Sequence, residues 1–466
     1  MSKTNTAFSL FSRIPHAISM LFFIFILVSV LSYVIPAGSY ERILVDGRNT
    51  VVPGSYTTMA ATPIGFFDMF RAIPLGFKAA AEIIFIVLAG GIMFGFMDRS
   101  KAVENAVGSL VKNLGLEKKY VIIIIMTFIY GLLGVAVGYE NNIAMVPIAA
   151  VLSLALGGDL ILAAGVSVGA MTIGFGLSPI NPYTVGTGHK IAELPMFSGA
   201  LLRSVLCFSA LAFMAYYNVR YFKKISAHPE KSLGKGLNTT NLALSKPISE
   251  YNMSPQNWLV LAIFLAGLGV ILYGVFNLQW YINELSAVFL IIALCCGLAV
   301  RMSATTMSET LLKAVSLAAP GAFMVGFATT IKVLMEMGNI GDTISYGLAN
   351  LLEGLPLHLA AVSMAVSQSV INFFIPSGSG QALATLPVML PLGTELGLSN
   401  QITILAFQIG DGLSNLINPT LGGLIAMLSM CRVPIDRWIR FIIPVLLTLL
   451  VLAFLALVVA VTINYT

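Results

Sequence analysis

Polar residues interrupt four long apolar segments of this chain, and these residues could do chemistry in an otherwise apolar setting. Two interruptions end in Asn-Pro, at Asn181 and Asn418, and two are rich in glycine, near Gly138 and Gly378. Carboxamides and hydroxyls donate and accept hydrogen bonds, while a carboxylate attracts a cation or carries a proton. The candidate solute-binding residues are Glu140, Asn141, Asn142, Ser178, Asn181, Ser377, Ser379, Asp411, Asn415 and Asn418.

The interruptions would also free backbone groups. Short half-helices point N–H groups at a solute carboxylate, and freed carbonyl groups suit a hard cation such as sodium. We therefore expect sodium as the coupling ion, with a proton carried by Glu140 or Asp411 as the alternative, and no further cofactor. The side chains expected near sodium are Asn142, Asn181, Ser379 and Asn418.

Glu140 and Asp411 are the carboxylates beside the interruptions. A carboxylate at mid-depth in a membrane costs about 2.5–3.5 kcal/mol, so each would be retained to meet a cation, a proton or water. Each could instead line an aqueous vestibule or cap a half-helix. Neither glycine-rich interruption contains Lys or Arg. Amides, hydroxyls and helix ends could hold a dianion, but two carboxylates would oppose it, which favours an amino acid, with a basic one as a candidate.

Composition places these residues in a membrane. Of 466 residues, 58% are apolar and 10% are charged, against about 25% charged residues in an ordinary globular protein. This excludes a soluble enzyme, a disordered chain and a nucleic-acid binder. The four cysteines lack metal-ligand spacing, so they are interpreted as small reduced hydrophobic residues.

Segment length predicts an all-helical integral membrane fold with nine spans, because a hydrocarbon core about 30 Å thick needs about 20 helical residues. Two of these spans are broken helices, at residues 160–196 and 400–430. Residues 120–156 and 357–397 are too long for one crossing and are predicted to be re-entrant hairpins. The other spans are residues 14–36, 79–97, 198–222, 256–276, 283–300, 318–337 and 440–463.

The distribution of Lys and Arg predicts a cytoplasmic N-terminus and an extracytoplasmic C-terminus. Residues 37–61 then form an outer loop, in which Asp46-Gly47 predicts a β-hairpin. His189 is expected at the membrane interface, and Trp258, Trp280 and Trp438 are expected in aromatic belts near span ends.

The two halves of the chain repeat. Gly176–Pro182 resembles Gly412–Pro419, Ala144–Pro147 resembles Ala384–Pro387, and residues 102–115 align with 341–354. Because four predicted spans separate the copies, the repeats are inverted, a pattern typical of secondary transporters with a midplane site. The predicted division is a first repeat at 1–224, a cytoplasmic linker at 225–255, a connecting span at 256–282 and a second repeat at 283–466. The alternative is that the interruptions are only packing kinks.

Several motifs together resemble the YfcC-like family, which is related to the anaerobic four-carbon dicarboxylate carriers of the ion transporter superfamily. The motifs are Ile35–Arg42, Val45–Arg48, Val52–Tyr56, Gly138–Asn142 and the two Asn-Pro interruptions. The resemblance implies an elevator-type, usually dimeric carrier whose hairpins and broken helices move against a scaffold. Members of the family are described variously as dicarboxylate carriers and as arginine and ornithine exchangers.

The predicted protein is therefore a secondary active transporter of the bacterial inner membrane for a small carboxylate-bearing solute, with membrane lipids and a second copy as partners. A dicarboxylate or other organic anion is the alternative solute. An intramembrane hydrolase is a remote alternative, suggested by the serines of Ser377–Gly380. A serine nucleophile needs a general base, and none of the four histidines has a sequence position suited to that role: His16, His189, His228 and His358. A channel is the other remote alternative.

Overall fold

The computed structural model describes residues 17–466 except 46, 47, 138, 241, 243, 279, 281 and 353. Within these residues, eight helices are long and apolar enough to cross a membrane, which indicates a multi-pass membrane protein. Their bounds are Ala81–Arg99, Leu116–Val135, Ala200–Ala227, Pro255–Gly274, Ile282–Ala299, Ala304–Met337, Leu357–Phe374 and Ile435–Thr462.

Helices and short strands follow each other along the described part of the first half. They are α1 (Ala17–Val34), β1 (Gly38–Ser39), β2 (Arg42–Val45), β3 (Arg48–Val51), β4 (Thr57–Thr58), α2 (Phe66–Ala79), α3 (Ala81–Arg99), α4 (Ala102–Leu114), α5 (Lys119–Val137), α6 (Val146–Ala155), α7 (Leu160–Ala164), α8 (Ala170–Gly176), α9 (Thr187–Ile191) and α10 (Ala200–Ala227).

The described part of the second half is helical. Its helices are α11 (Pro255–Asn277), α12 (Ile282–Ala299), α13 (Ala304–Met337), α14 (Gly341–Asn350), α15 (Leu357–Phe374), α16 (Gly378–Glu395), α17 (Asn400–Ser414), α18 (Gly422–Met430) and α19 (Ile435–Thr462).

Residues 37–61 contain the predicted β-hairpin. Strands β2 and β3 pair antiparallel with Val45 opposite Arg48, and β1 pairs with β4. The turn residues Asp46 and Gly47 lie outside the described residues. Arg42 forms an ion pair with Asp342 at 2.7 Å, and the backbone N–H of Tyr40 donates to the same carboxylate at 3.0 Å. The hairpin is thereby attached to the first turn of α14.

The two segments predicted to be hairpins each contain two helices. In the first, α5 and α6 flank a 3₁₀ turn at Glu140–Met145; in the second, α15 and α16 meet at residues 375–377. Helices α5 and α15 have 19 and 18 residues, about 28 Å at 1.5 Å per residue. Each of these two helices is therefore long enough to cross a membrane. The depth at which each hairpin turns back remains a prediction.

Both predicted helix breaks are confirmed. The helical path from α7 continues through a π-helical turn, Gly165–Gly169, into α8 and ends at Gly176. It resumes as a π-helical turn at Pro182–Gly186 and then as α9. In the second half, α17 ends at Ser414 and α18 starts at Gly422. A proline lacks the N–H that continues a helix, so each Asn-Pro falls where the helical hydrogen bonds stop.

Small residues allow α3 and α13 to pack closely. A Cβ on Gly91 would lie 2.6 Å from the Cβ of Ala318, and one on Gly95 would lie 2.6 Å from the Cβ of Ala314. Helix α12 packs on the same helix α3, while α15 packs on α17 and α5 packs on α8. The broken helices are therefore each held by one leg of a hairpin.

The prediction that Trp438 lies in an aromatic belt is wrong. Its side chain is fully buried, and the indole Nε1 donates to the carbonyl oxygen of Leu416 at 2.8 Å. Leu416 lies between α17 and α18, so the tryptophan satisfies a carbonyl group that the break frees. Trp258, in contrast, is 59% exposed.

Candidate solute-binding site

The two helix breaks meet where Gly176 lies against Gly412. A Cβ on Gly176 would lie only 2.6 Å from the Cα of Gly412, so this approach of two backbones requires glycine at both positions. Next to this contact, Gln408 of α17 donates from Nε2 to the carbonyl oxygen of Ser178 at 2.6 Å. The Ser178 hydroxyl donates to the carbonyl oxygen of Val135, at the end of α5, at 3.1 Å.

Asn181 caps both sides of the first break. Its Nδ2 donates to the carbonyl oxygen of Phe175 at 3.1 Å, and its Oδ1 accepts from the N–H groups of Tyr183 and Thr184 at 2.8 and 3.4 Å. The residue is buried. In an uninterrupted helix the Phe175 carbonyl would accept from the N–H of residue 179, but Pro179 has none, so the Asn181 carboxamide supplies the missing donor.

Asn418 caps the second break in a similar way. Its Nδ2 donates to the carbonyl oxygen of Asn372 at 2.9 Å, and its Oδ1 accepts from the N–H of Thr420 at 3.0 Å. In both breaks the asparagine oxygen therefore accepts from the N–H two residues later. A cation that binds beside either asparagine would be coordinated by carbonyl groups that the break frees, or it would displace these N–H groups from the asparagine oxygen.

Sequence reasoning missed Asn372, which lies at the centre of the second break. From the last turn of α15, its Nδ2 lies 3.0 Å from the carbonyl oxygen of Asp411, 2.7 Å from the Ser414 hydroxyl and 2.7 Å from Oδ1 of Asn415. An amide nitrogen carries only two hydrogens, so three oxygen atoms converge on a two-hydrogen donor. An asparagine in an apolar helix, one turn before a glycine-rich tip, was the available signal.

A small cavity of about 120 Å³ lies beside the breaks. It brings together residues from the first hairpin, both broken helices and the second hairpin. Its lining residues are Ile83, Tyr139, Phe175, Tyr183, Ile282, Pro376, Ser377, Gly378, Ser379, Asn415 and Leu421.

Three of the predicted site residues, Ser377, Ser379 and Asn415, line this cavity. Ser377 is the N-cap of α16, where its hydroxyl accepts from the N–H of Gly380 at 3.3 Å. The N-terminus of an 18-residue helix therefore faces the cavity, with its N–H groups and the positive end of its dipole.

Asp411 is fully buried next to the cavity. Its Oδ2 lies 3.5 Å from the position that a Cβ on Gly378 would occupy, and the Phe175 ring lies 3.6 Å from the same position. Both Gly378 and Phe175 line the cavity. The carboxylate thus lies close to the cavity wall and to the start of α16, where a negative charge is favoured.

Residues of the first hairpin tip lie on the opposite side. Tyr139 is buried and its ring centroid lies 5.7 Å from that of Phe175. Asn142 is buried and donates from Nδ2 to the carbonyl oxygen of Leu133 at 3.2 Å. The backbone of Glu140 and Asn141 forms the 3₁₀ turn, but their side chains lie outside the described residues.

Sequence reasoning also missed Arg203, a fully buried cation near the first break. Its Nε donates to Oε1 of Gln408 at 3.0 Å, and its terminal nitrogen donates to Oε1 of Gln401 at 2.9 Å. Gln401 also contacts Nε2 of His189, at 3.3 Å. His189 is fully buried, so the prediction that it lies at the interface is wrong.

The profile of a family described as C4-dicarboxylate anaerobic carrier, DcuC, matches residues 14–462. A protein of Escherichia coli (strain K12) named "Putative basic amino acid antiporter YfcC" is 30% identical, over 91% of this chain and 92% of that protein. An uncharacterised protein of Haemophilus influenzae is 25% identical, over 96% of this chain and 97% of that protein.

Among solved structures, the YdaH transporter of Alcanivorax borkumensis is 15% identical with a TM-score of 0.44, over 97% of this chain and 99% of that one. This structural likeness is too low to support a conclusion. The family match extends over nearly the whole length, including both breaks and both hairpins. The chain therefore belongs to the C4-dicarboxylate anaerobic carrier family, DcuC, a family of transporters.

Proposed function

We propose that this protein is an ion-coupled secondary transporter of the bacterial inner membrane for a small amino acid. The observation that carries the proposal is the cavity between the hairpin tips and the two helix breaks, which has buried Asp411 beside it. No Lys or Arg is found among the described residues that line this cavity. A carboxylate beside a cavity with this lining favours a solute that carries a positive charge.

Aromatic rings support the same choice. Tyr139, Phe175 and Tyr183 line the cavity, and the faces of such rings attract an ammonium or guanidinium group within about 6 Å. The faces of these rings would not attract a second carboxylate, and Asp411 would repel it. We therefore assign the ammonium end of the solute to the side formed by the rings and Asp411.

The solute carboxylate would bind at the start of α16. Ser377 and Ser379 offer hydroxyls there, and the first N–H groups of the helix have no intrahelical partner. These groups also support the alternative solute, a four-carbon dicarboxylate, which the family description names. The E. coli relative is named for basic amino acids, in agreement with an ammonium-bearing solute.

The coupling ion in this proposal is sodium. Three oxygen atoms, from Asp411, Ser414 and Asn415, already converge within 3.0 Å of the Asn372 amide nitrogen, and hard cations prefer such oxygen ligands. Oxygen atoms near Asn142, Asn181, Ser379 and Asn418 are further candidate ligands. A proton carried by Asp411 or Glu140 is the alternative.

Transport would proceed by an elevator movement. The two hairpins and two broken helices of the inverted repeats would move together against α3, α12 and α13, in a homodimer with the N-terminus in the cytoplasm. The close packing of α3, α12 and α13 supports their assignment to one scaffold. Channel and hydrolase activities receive no support: the family is one of transporters, and the Ser377 hydroxyl caps a helix.

Counterflow in proteoliposomes tests the proposal. Vesicles preloaded with unlabelled L-arginine, L-ornithine, L-alanine or succinate would be assayed for uptake of the same labelled compound, with sodium or choline outside. We expect trans-stimulated uptake of an amino acid and not of succinate. Asp411→Asn should abolish it, while Asp436→Asn, in the first turn of α19, serves as the control. Exchange of succinate alone, or amino acid exchange unaffected by Asp411→Asn, would overturn the assignment.

A further inference from the structure

Arg203 is a charged residue with no exposed surface, in the first turn of α10. Within the described residues, no carboxylate forms an ion pair with it; its hydrogen-bond acceptors are neutral. Burial of a charge costs several kcal/mol unless its hydrogen bonds are satisfied. A buried arginine that binds side-chain amides is therefore expected to hold those amides in one specific orientation.

The chemistry of arginine determines the orientation of Gln408. A guanidinium has five donors and no acceptor, so the amide of Gln408 must turn its Oε1 towards Arg203 Nε, at 3.0 Å. Its Nε2 must then point the other way, where it donates to the carbonyl oxygen of Ser178 at 2.6 Å. The reverse orientation would place two oxygen atoms against each other at the break. Arg203 thus decides which atom of Gln408 meets the first helix break.

We propose that Arg203 is a positioning residue, which acts through Gln408 to hold the Ser178 carbonyl and so keeps the first break in the geometry that binds solute. Ser178 follows Gly176, which contacts Gly412 of the other broken helix. The Ser178 hydroxyl also donates to the carbonyl oxygen of Val135, near the end of α5. One side-chain amide therefore connects α10, α17 and the first break. The effect on solute affinity rests on the proposed function, whereas the effect on the break does not.

Two variants and one control separate the positioning role from a general structural one. Arg203→Lys keeps the charge but has one nitrogen, which cannot reproduce the separate bonds to Gln401 and Gln408. Gln408→Glu keeps an acceptor for Arg203 but loses the donor to Ser178. Arg220→Lys changes an exposed arginine on the same helix α10 and is the matched control.

Hydrogen–deuterium exchange on the purified, ligand-free protein is the first measurement. We expect peptides covering residues 177–188 to exchange about tenfold faster in Arg203→Lys and Gln408→Glu, as loss of one hydrogen bond implies. Peptides from the middle of α10 should be unchanged, as should all peptides in Arg220→Lys. Unchanged exchange at 177–188, or faster exchange spread along the whole of α10, would overturn the proposal. So would failure of both variants to fold while Arg220→Lys folds.

Counterflow is the second measurement, with whichever of L-arginine, L-ornithine and L-alanine the wild-type protein transports. A positioning role predicts a rise of about tenfold in the half-saturating concentration in both variants, with the maximal rate little changed. A fall in maximal rate alone would indicate a role in movement and contradict the affinity claim. If the wild-type protein shows no counterflow of L-arginine, L-ornithine or L-alanine, but hydrogen–deuterium exchange at residues 177–188 rises in both variants, the proposed function fails while the positioning of the break stands.

Discussion

The backbones of Gly176 and Gly412 touch each other where the two broken helices cross. A Cβ on Gly176 would lie 2.6 Å from Cα and 2.7 Å from the carbonyl carbon of Gly412. Backbone atoms cannot give way as the end of a flexible side chain can. The two breaks can therefore approach each other only while neither position carries a side chain.

Gly412→Ala should destabilise the protein by about 1–3 kcal/mol, because the new methyl group forces the helices apart. The matched control is Gly347→Ala, within α14, where a Cβ would meet nothing within 4 Å. The control should be neutral or slightly stabilising, since alanine favours a helix more than glycine does. Thermal unfolding in detergent compares the two, and equal melting temperatures would show that the helices do not cross at Gly412.

Trp438→Phe should lower the stability by about 1–3 kcal/mol, because it leaves the buried Leu416 carbonyl without the indole N–H. Trp258→Phe is the control, since that side chain is 59% exposed. Thermal unfolding again provides the measurement. A Trp438→Phe melting temperature within error of the control would mean that the break does not need this donor.

Asn372→Asp should make the stability depend on a small cation. The new carboxylate oxygen would replace a donor amid the oxygen atoms of Asp411, Ser414 and Asn415. Electrostatic repulsion should lower the melting temperature in choline chloride, and sodium chloride should restore it in part by supplying the missing positive charge. Asn350→Asp, at the exposed end of α14, controls for a general salt effect; an equal salt response in both variants would contradict the prediction.

Glu104 makes the attachment of Ser245 and Tyr251 to α4 depend on pH. Burial opposes ionisation of this carboxylate, but hydrogen bonds from Ser245, Tyr251 and Lys101 outweigh it and lower the pKa to about 2. Ser245 Oγ and Tyr251 Oη donate to Oε1 at 2.5 and 2.6 Å. The unfolded pKa is about 4.3. The stabilisation is therefore fully present above about pH 4.3 and is lost as the pH falls towards 2.

Glu104→Gln should remove this part of the pH dependence. The difference in melting temperature between wild type and Glu104→Gln should shrink as the pH is lowered from 6 towards the lowest pH at which the protein stays folded. Glu250→Gln, an exposed residue next to Tyr251, is the control and should follow the wild type. A difference that stays constant or grows on acidification would contradict the assigned pKa.

Local features of the fold could be predicted from the sequence. Residues 160–176 and 400–414 are helical, and each helix ends a few residues before an Asn-Pro, in a stretch where prolines such as Pro179 and Pro419 cannot donate a helical hydrogen bond. The β-hairpin of β2 and β3 follows from Asp46-Gly47 in the same local way. Ser377, Ser379 and Asn415 were identified because they lie at such interruptions, and they line the cavity.

The partners of these residues could not be predicted, because they come from helices far apart in the chain. Gln408 meets Ser178 across 230 positions, and Arg203 meets Gln408 across 205. Trp438 and His189 have span-end positions in the sequence, yet the packing of other helices buries both.

What the amino-acid sequence alone determined is that the chain is a membrane protein with two interrupted apolar helices, because hydrophobicity and proline act locally. Only the tertiary structure decided that Asn372, Gln408 and Arg203 hold the breaks, and that aromatic rings line one small cavity with Asp411 beside it. Those contacts depend on the crossing of the helices at Gly176 and Gly412, which no periodicity in the sequence encodes.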